Sequence, residues 1–215
     1  MWYNGVTGEP VFIGGFLNGT YNREAGRRKD YRKVEEITRA AFNYPERILR
    51  GKIGCPYEHW MVHELRHRDG INELSFVAQL KNGTIVGHII CSKAIVKKEG
   101  YMLPVLNFGP LSVLPEYQRQ GIGQALVRTM IEKSQKLGYG AILFFGRPEY
   151  YPQFGFKEAV VYGISDAEGY NYPAFMAMEL KEGYLKNVRG GRFFESDIYN
   201  DMLNRETVMK FDKNF

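Results

Sequence analysis

The segment Val113-Leu-Pro-Glu-Tyr-Gln-Arg-Gln-Gly-Ile-Gly-Gln-Ala-Leu126 decides how the chain reads. It passes from the end of an apolar strand, through a short polar loop, into the start of an amphipathic helix. Glycines at 121 and 123 leave the backbone open to close approach. A helix N-terminus presents N–H groups that have no partner inside the helix, at the positive end of its dipole, and so favours phosphate oxygens. Arg119 adds a fixed positive charge. On physical grounds the loop suits a phosphorylated cofactor.

What the loop lacks narrows the choice. A dinucleotide fingerprint needs a third glycine where Leu126 stands, directly after a strand, and here the polar insert Glu116 to Gln120 intervenes. A triphosphate-binding loop needs glycine followed by lysine and a hydroxyl residue, which this stretch does not contain. The string Gln118-Arg-Gln-Gly-Ile-Gly123 instead resembles the Q/R-x-x-G-x-G/A pyrophosphate loop of the GNAT superfamily of N-acetyltransferases. Upstream, Phe108-Gly-Pro-Leu-Ser-Val-Leu-Pro115 is similar to that superfamily's cofactor-binding strand. Downstream, Tyr150-Tyr-Pro-Gln-Phe-Gly-Phe156 looks like its closing Y-x-x-x-G-F element. Gly146-Arg-Pro-Glu-Tyr150 departs from the usual helix with an Asn before the tyrosine. It is closer to a subgroup of acetyltransferases carrying G-x-P-x-Y-Y-x-x-F-G-F.

The resemblance implies an α/β (α+β) fold: a mixed, mostly antiparallel sheet with a splayed central pair, flanked by helices. It implies acetyl-CoA as co-substrate and direct transfer to a primary amine in a ternary complex. Leu111, Ser112 and Val113 would then offer backbone groups to pantetheine, with the Val113 N–H polarising the acetyl carbonyl. Gln118, Arg119, Gln120, Gly121, Ile122, Gly123 and Gln124 would wrap the pyrophosphate. Tyr151, four residues before Gly155, stands where a tyrosine protonates the leaving thiolate, and a phenol with pKa about 10 is protonated at neutral pH. Each has a plainer reading: Leu111 and Val113 as core strand, the loop as a helix cap, Tyr151 and Tyr150 as packing.

The general base is not evident. Where many members carry a Glu on the splayed strand, Val105-Leu-Asn-Phe108 offers Asn107, which holds a water at best. Glu58, Glu64 and the histidines at 59, 63 and 67 are the other candidates. Those histidines share a helix face, a spacing that suits metal ligation, but Trp60 stands where a zinc-protease motif needs Glu. No metal is expected, and the face reads first as partly exposed and polar. The missing base keeps a competing reading open, a GNAT fold that senses acyl-CoA without turnover.

The chain has 215 residues, 44% hydrophobic and 25% charged, with mean hydropathy −0.36, which excludes global disorder. No apolar run approaches the ~20 residues of a membrane span, and the N-terminus lacks a secretory pattern. Cys55 and Cys91 have no C-x-x-C spacing, as in a reduced cytoplasmic protein. The net charge of +5 and pI near 9.1 invite nucleic acid, but the bases are dispersed, Arg27-Arg-Lys29 being the densest run. Expected partners are therefore a small-molecule or protein amine, with no membrane; nucleic acid, which the pI alone favours, is the weaker alternative. A homodimer is left open.

Residues 1–19 read as a glycine-rich extension ordered by Trp2 and Phe12, 20–180 as the GNAT domain, and 181–215 as a C-terminal extension packing on it. A strand over Tyr21–Glu24 precedes a helix capped by Asp30, and Pro45, Gly51 and Gly54 end that pattern. A second helix covers 57–68. Strands at 74–80 and 85–95 form a hairpin about Asn82-Gly83, both tolerant of positive φ. A strand over 105–113 is disturbed at Gly109-Pro110. The helix after the loop buries Ile122, Leu126, Val127, Met130, Ile131 and Leu137 and stops at Gly138. Strands at 141–145 and 174–180 follow, with a helix over 196–203.

Overall fold

The computed structural model describes residues 2–3, 10–11, 20–24, 28–43 and 56–215, the first three segments as backbone only. The side chains of Trp2, Arg28 and Lys29, and residues Phe12, Arg27, Pro45, Gly51, Gly54 and Cys55, lie outside that description. The strands are β1 (Trp2–Tyr3), β2 (Pro10–Val11), β3 (Thr20–Glu24), β4 (Gly70–Leu80), β5 (Ile85–Lys98), β6 (Tyr101–Val113), β7 (Ala141–Phe145), β8 (Lys157–Glu158), β9 (Phe175–Glu179) and β10 (Arg192–Phe194). The helices are α1 (Arg28–Ala41), α2 (Pro56–His67), α3 (Ile122–Lys136) and α4 (Asp201–Asp212). The class is α/β, with a mixed sheet and flanking helices.

The chain divides into two units. One comprises Met1–Ile90, Pro110–Met130 and Asp197–Phe215; the other Cys91–Gly109 and Ile131–Ser196. In the first, the order is β3-β4-β5-β6, with Thr20 opposite Leu80 and Glu24 opposite Phe76 in the antiparallel β3–β4 ladder. The β4–β5 hairpin closes as the sequence suggests, but in a three-residue loop. Gly83 N–H bonds Leu80 O at 2.9 Å and Leu80 N–H bonds Thr84 O at 2.8 Å. Gly83 has φ +90° while Asn82 does not, because a turn followed by a left-handed glycine needs that freedom once. Asn82 Oδ1 instead accepts from Thr84 N–H at 3.0 Å.

Helix α1 begins at Arg28, so Asp30 lies in its first turn instead of capping it from outside. There a carboxylate still meets the positive end of the dipole. Val34 and Ile37 of α1 pack with Val62 of α2, Val77 and Ile85. A second cluster joins Trp60, Met61 and Leu65 of α2 to Ile90, Ile198 and Val208. The C-terminal segment from Asp197 onward is pinned at several points: Arg39 to Asp212 at 2.8 Å, Arg68 to Asp197 at 2.6 Å, and Arg32 over the Phe215 ring at 3.4 Å. Helix α4 starts later than the expected 196–203, because Asn200 accepts from Met202 and Leu203 N–H and caps it there.

In the second unit β10 pairs with β5, β7 pairs in parallel with β6, and β9 runs antiparallel between β7 and β8. The β6–β7 register is a single pair, Leu106 opposite Ile142, whereas β7 and β9 share a register from Ala141↔Glu179 to Phe145↔Phe175. The two strands therefore part on either side of one point, the expected splay. Gly109, with φ +144°, marks where β6 leaves regular geometry. The core of this unit gathers Val96, Leu103, Val105, Leu143, Phe175, Val188 and Phe193. Phe145 is 44% exposed, so β7 is covered on both faces only as far as Phe144. Leu137 also departs from expectation at 46% exposure, since α3 ends at Lys136 and Gly138 turns left-handed.

Candidate functional site

The segment 110–124 belongs to the first unit. Strand β6 ends there against β5, with Leu114 N–H bonded to Val86 O at 2.9 Å. Backbone groups alternate along a strand, so Leu114 and Ser112 face β5 while Val113 and Leu111 face away from it. Consistent with this, Ser112 O would lie 3.1 Å from a Cβ added to Gly87 of β5. The Ser112 side chain is fully buried, and its hydroxyl donates to Thr38 Oγ1 of α1 at 2.9 Å, tying strand to helix. It therefore has a packing task, whatever its backbone does. Val113 O accepts the Gln118 side-chain amide at 3.0 Å, which folds the loop back on the strand end.

After a one-turn 3-10 helix at Pro115–Tyr117, Gln118, Arg119 and Gln120 are exposed. Arg119 has φ +57° and Gly121 φ +83°, two left-handed residues straddling Gln120. Arg119 holds this conformation without being glycine, a backbone cost that a merely connecting loop has no need to bear. Gln120 braces it by donating to Glu116 O at 3.0 Å. The helical ladder opens with Ala125 N–H to Gly121 O at 2.9 Å, so the N–H groups of Ile122 and Gly123 precede it. Ile122 is buried and anchors the turn, while Gly123 leaves the rim low. A Cβ on Gly87 would crowd Leu126 at 3.2 Å and Ile122 at 3.3 Å, so glycine there lets α3 seat on β5. These residues make a cationic, glycine-lined cradle at a helix N-terminus, the chemistry a pyrophosphate needs.

Tyr151 belongs to the second unit, in a 3-10 turn at Tyr151–Phe154 closed by Gly155 at φ +96°. Aromatic rings surround it: Phe144 edge-on at 4.6 Å, Tyr150 at 5.1 Å, Phe108 at 5.7 Å and Phe156 at 6.0 Å. Burial in that apolar cage, with a smaller push from Tyr150, moves its hydroxyl well above the ordinary tyrosine range. The phenol is therefore protonated at any physiological pH and suited to donate. Tyr150 packs on Tyr151 and Phe154, as read from sequence.

Asn107 is 1% exposed on β6, and its amide donates to Glu195 Oε2 at 2.5 Å. Burial raises the Glu195 carboxyl from 4.5 to about 7, and the Asn107 hydrogen bond holds it down in part. No sequence signal links residues 107 and 195, and Glu195 was not among the expected bases. Of those that were, His59 is fully buried beside Phe211 and Phe215. Desolvation lowers it from 6.5 to about 4, against an opposing pull from Asp212. His63 pairs with Glu35 at 3.0 Å and His67 with the His63 carbonyl at 2.8 Å. The face is thus a packed seam at His59 and polar only further along. Among the described residues no group of three or more His, Cys, Asp or Glu could hold a metal, and no helix is long and apolar enough to cross a membrane. His88 is buried against Ser75 at 3.1 Å, a core pair.

The sequence profile of the Acetyltransferase (GNAT) family matches residues 33–156, more than half of the chain. The chain belongs to the GNAT acetyltransferase family. It is an acyltransferase of the N-acetyltransferase type. It is 29% identical over 143 residues, covering 66% of this chain and 84% of the relative, to an uncharacterized N-acetyltransferase, YhbS, of Escherichia coli K12. A second relative, YjhQ of the same strain, is 38% identical over 84 residues, covering 39% of this chain and 46% of its own. Among solved structures, E. coli YhbS in complex with CoA superposes with a TM-score of 0.72 at 22% identity, covering 88% of this chain and 96% of that one. A GNAT acetyltransferase of Brucella melitensis in complex with acetyl-CoA gives 0.55 at 25% identity over 74% and 87%.

Proposed function

We propose that this GNAT acetyltransferase holds acetyl-CoA on the loop from Gln118 to Gln124 and passes the acetyl group directly to a primary amine. Acetyl-CoA is the co-substrate, the ligand of the Brucella melitensis relative. One observation carries the assignment: Arg119 and Gly121 are both left-handed immediately before α3, so that a cationic residue and a glycine lead directly into the first helical N–H groups. Leu111 and Val113, whose backbone groups turn away from β5, offer pantetheine a strand edge to hydrogen-bond. The Val113 N–H polarises the acetyl carbonyl. Tyr151, held protonated by its apolar cage, donates to the departing thiolate.

Among the described residues, direct transfer is favoured by the state of Cys91, which is fully buried and whose thiol burial pushes far above its usual range. It cannot serve as an acyl carrier. The acceptor is an amine of a small molecule or a protein, and the enzyme acts in the cytoplasm, alone or as a homodimer. We also propose one GNAT domain over 20–180, with the flanking segments as extensions and 181–215 packing on it.

Thermal unfolding with acetyl-CoA, NAD and ATP in parallel tests the loop. At ~100-fold over Kd, binding to the native state adds about 2.7 kcal/mol. A shift with acetyl-CoA alone is expected, and no shift with any of the three would overturn the assignment. Release of free thiol with a panel of primary amines then separates an enzyme from a sensor, which binds acetyl-CoA and releases none.

A further inference from the structure

We propose that Glu195, held by Asn107, is the general base that takes the proton from the acceptor amine. The inference rests on the transferase reading above and supplies the group it lacked. Asn107 occupies the strand position where a carboxylate base was sought, and an amide cannot accept a proton at neutral pH. It does, however, donate to Glu195 Oε2, so the carboxylate arrives from 88 residues downstream onto that position. Asn107 is buried and its amide is fixed by strand β6, whereas Glu195 is only partly buried.

The next residue along the strand, Phe108, stacks edge-on to Tyr151 at 5.7 Å. Side chains of neighbouring strand residues point to opposite faces, so β6 sets the proposed base, held by Asn107, and the proposed acid, packed on Phe108, on opposite faces of the strand. The cations near Glu195 in sequence and on the paired strand are engaged elsewhere: Arg192 of β10 reaches Ala167 O, and Lys97 of β5 lies over the Phe194 ring. With burial raising it and Asn107 alone opposing, the carboxyl titrates at about 7, where a base is effective near neutral pH.

The proton and electron count closes. The acceptor enters as neutral amine, and its nitrogen forms the new N–C bond at the acetyl carbonyl. The proton that nitrogen sheds goes to the Glu195 carboxylate. The C–S bond breaks with its electron pair on sulfur, which takes a proton from the Tyr151 hydroxyl. Solvent then returns one proton from Glu195 to Tyr151. Asn107 touches no reacting atom and is a positioning residue.

The test compares wild type, Glu195→Gln and Asn107→Ala in full-length protein, reading thiol release against pH with the best amine of the panel, and acetyl-CoA affinity separately. The Glu195→Gln side chain keeps an oxygen for Asn107, so the fold and acetyl-CoA affinity are expected to survive while kcat falls ~100-fold or more and the acidic limb near pH 7 disappears. Asn107→Ala removes the group that holds the carboxyl down, and its limb is expected to move above 7. A Glu195→Gln enzyme with kcat and limb intact would overturn the proposal. Loss of acetyl-CoA binding in Glu195→Gln would also overturn it, assigning Glu195 a structural role. Wild type that binds acetyl-CoA yet acetylates no amine would remove the transferase reading and the base together. Wild type that fails to bind acetyl-CoA would reject the loop assignment first.

Discussion

Gly146 and Tyr151 share one space: a Cβ added to the glycine would overlap the Tyr151 ring and the edge of Phe144. The glycine at the end of β7 is therefore what allows the tyrosine to sit over Phe144, with Gly146 N–H bonded to Ala174 O at 2.8 Å holding the backbone still. Gly146→Ala must displace a ring from a packed aromatic cluster, and overpacking of that kind costs roughly 1–3 kcal/mol. Melting temperature should fall by several degrees. Turnover should fall more than acetyl-CoA affinity, because the displaced group is the proposed acid.

Tyr151→Phe asks a narrower question. The ring and its contacts with Phe108, Phe144 and Phe156 remain, so stability should stay within about 0.5 kcal/mol. Loss of the proton donor should lower kcat ~100-fold with acetyl-CoA affinity unchanged. Because burial moves the Tyr151 hydroxyl upward, wild type should show no loss of rate from its ionisation up to about pH 10, the ordinary tyrosine value. A Tyr151→Phe enzyme with unchanged kcat would leave the tyrosine a packing role.

How much of this was legible in sequence depended on distance along the chain. The cradle was legible because a polar loop, two glycines and an amphipathic helix are contiguous from Val113 to Leu126. So was the β4–β5 hairpin, whose turn chemistry is local to Asn82-Gly83. Tyr151 could be picked out by its spacing to Gly155, but not its cage, which is assembled from Phe108 and Phe144 on two strands. Glu195 was illegible for the same reason, since nothing near it in sequence announces Asn107. The histidine face failed differently: periodicity put His59, His63 and His67 on one side of α2, but could not say that α4 covers the first. For α4 itself the cue was present, as Asn200 is a strong capping residue placed just before the true start.

Arg119→Ala and Gly121→Ala should separate binding from strain. Alanine at 119 meets the same left-handed backbone as arginine, so stability should change little while acetyl-CoA affinity falls ~3- to 10-fold and loses part of its salt dependence. At 121 a Cβ is forced into φ +83°, which costs on the order of 1 kcal/mol and distorts the turn that opens α3. Both variants should bind more weakly, but only Gly121→Ala should melt lower. Equal affinity for wild type and Arg119→Ala would mean the guanidinium does not meet the cofactor.

His59 should make stability depend on pH in a predictable direction. In the folded chain it is buried beside Phe211 and Phe215 and titrates at about 4, against 6.5 in the open chain. Between those values the unfolded chain binds a proton that the folded one refuses, so stability rises with pH across that window and falls as pH drops through it. Above 6.5 the stabilisation is fully present; by about pH 4 it is gone. Asp212 Oδ1 lies 3.1 Å from Nε2 but without hydrogen-bond alignment, and it is already engaged by Arg39, so it recovers only part of the cost of charging the ring. A shift of this size amounts to at most about 3 kcal/mol. His59→Gln removes the titrating ring, and its stability should lose that share of the slope between pH 4 and 6.5. Chemical denaturation of both proteins at about pH 7.5, 5.5 and 4.5 reads the difference. Parallel slopes would mean that His59 takes up its proton in the folded state as readily as in the unfolded one, and that α4 does not seal it from water.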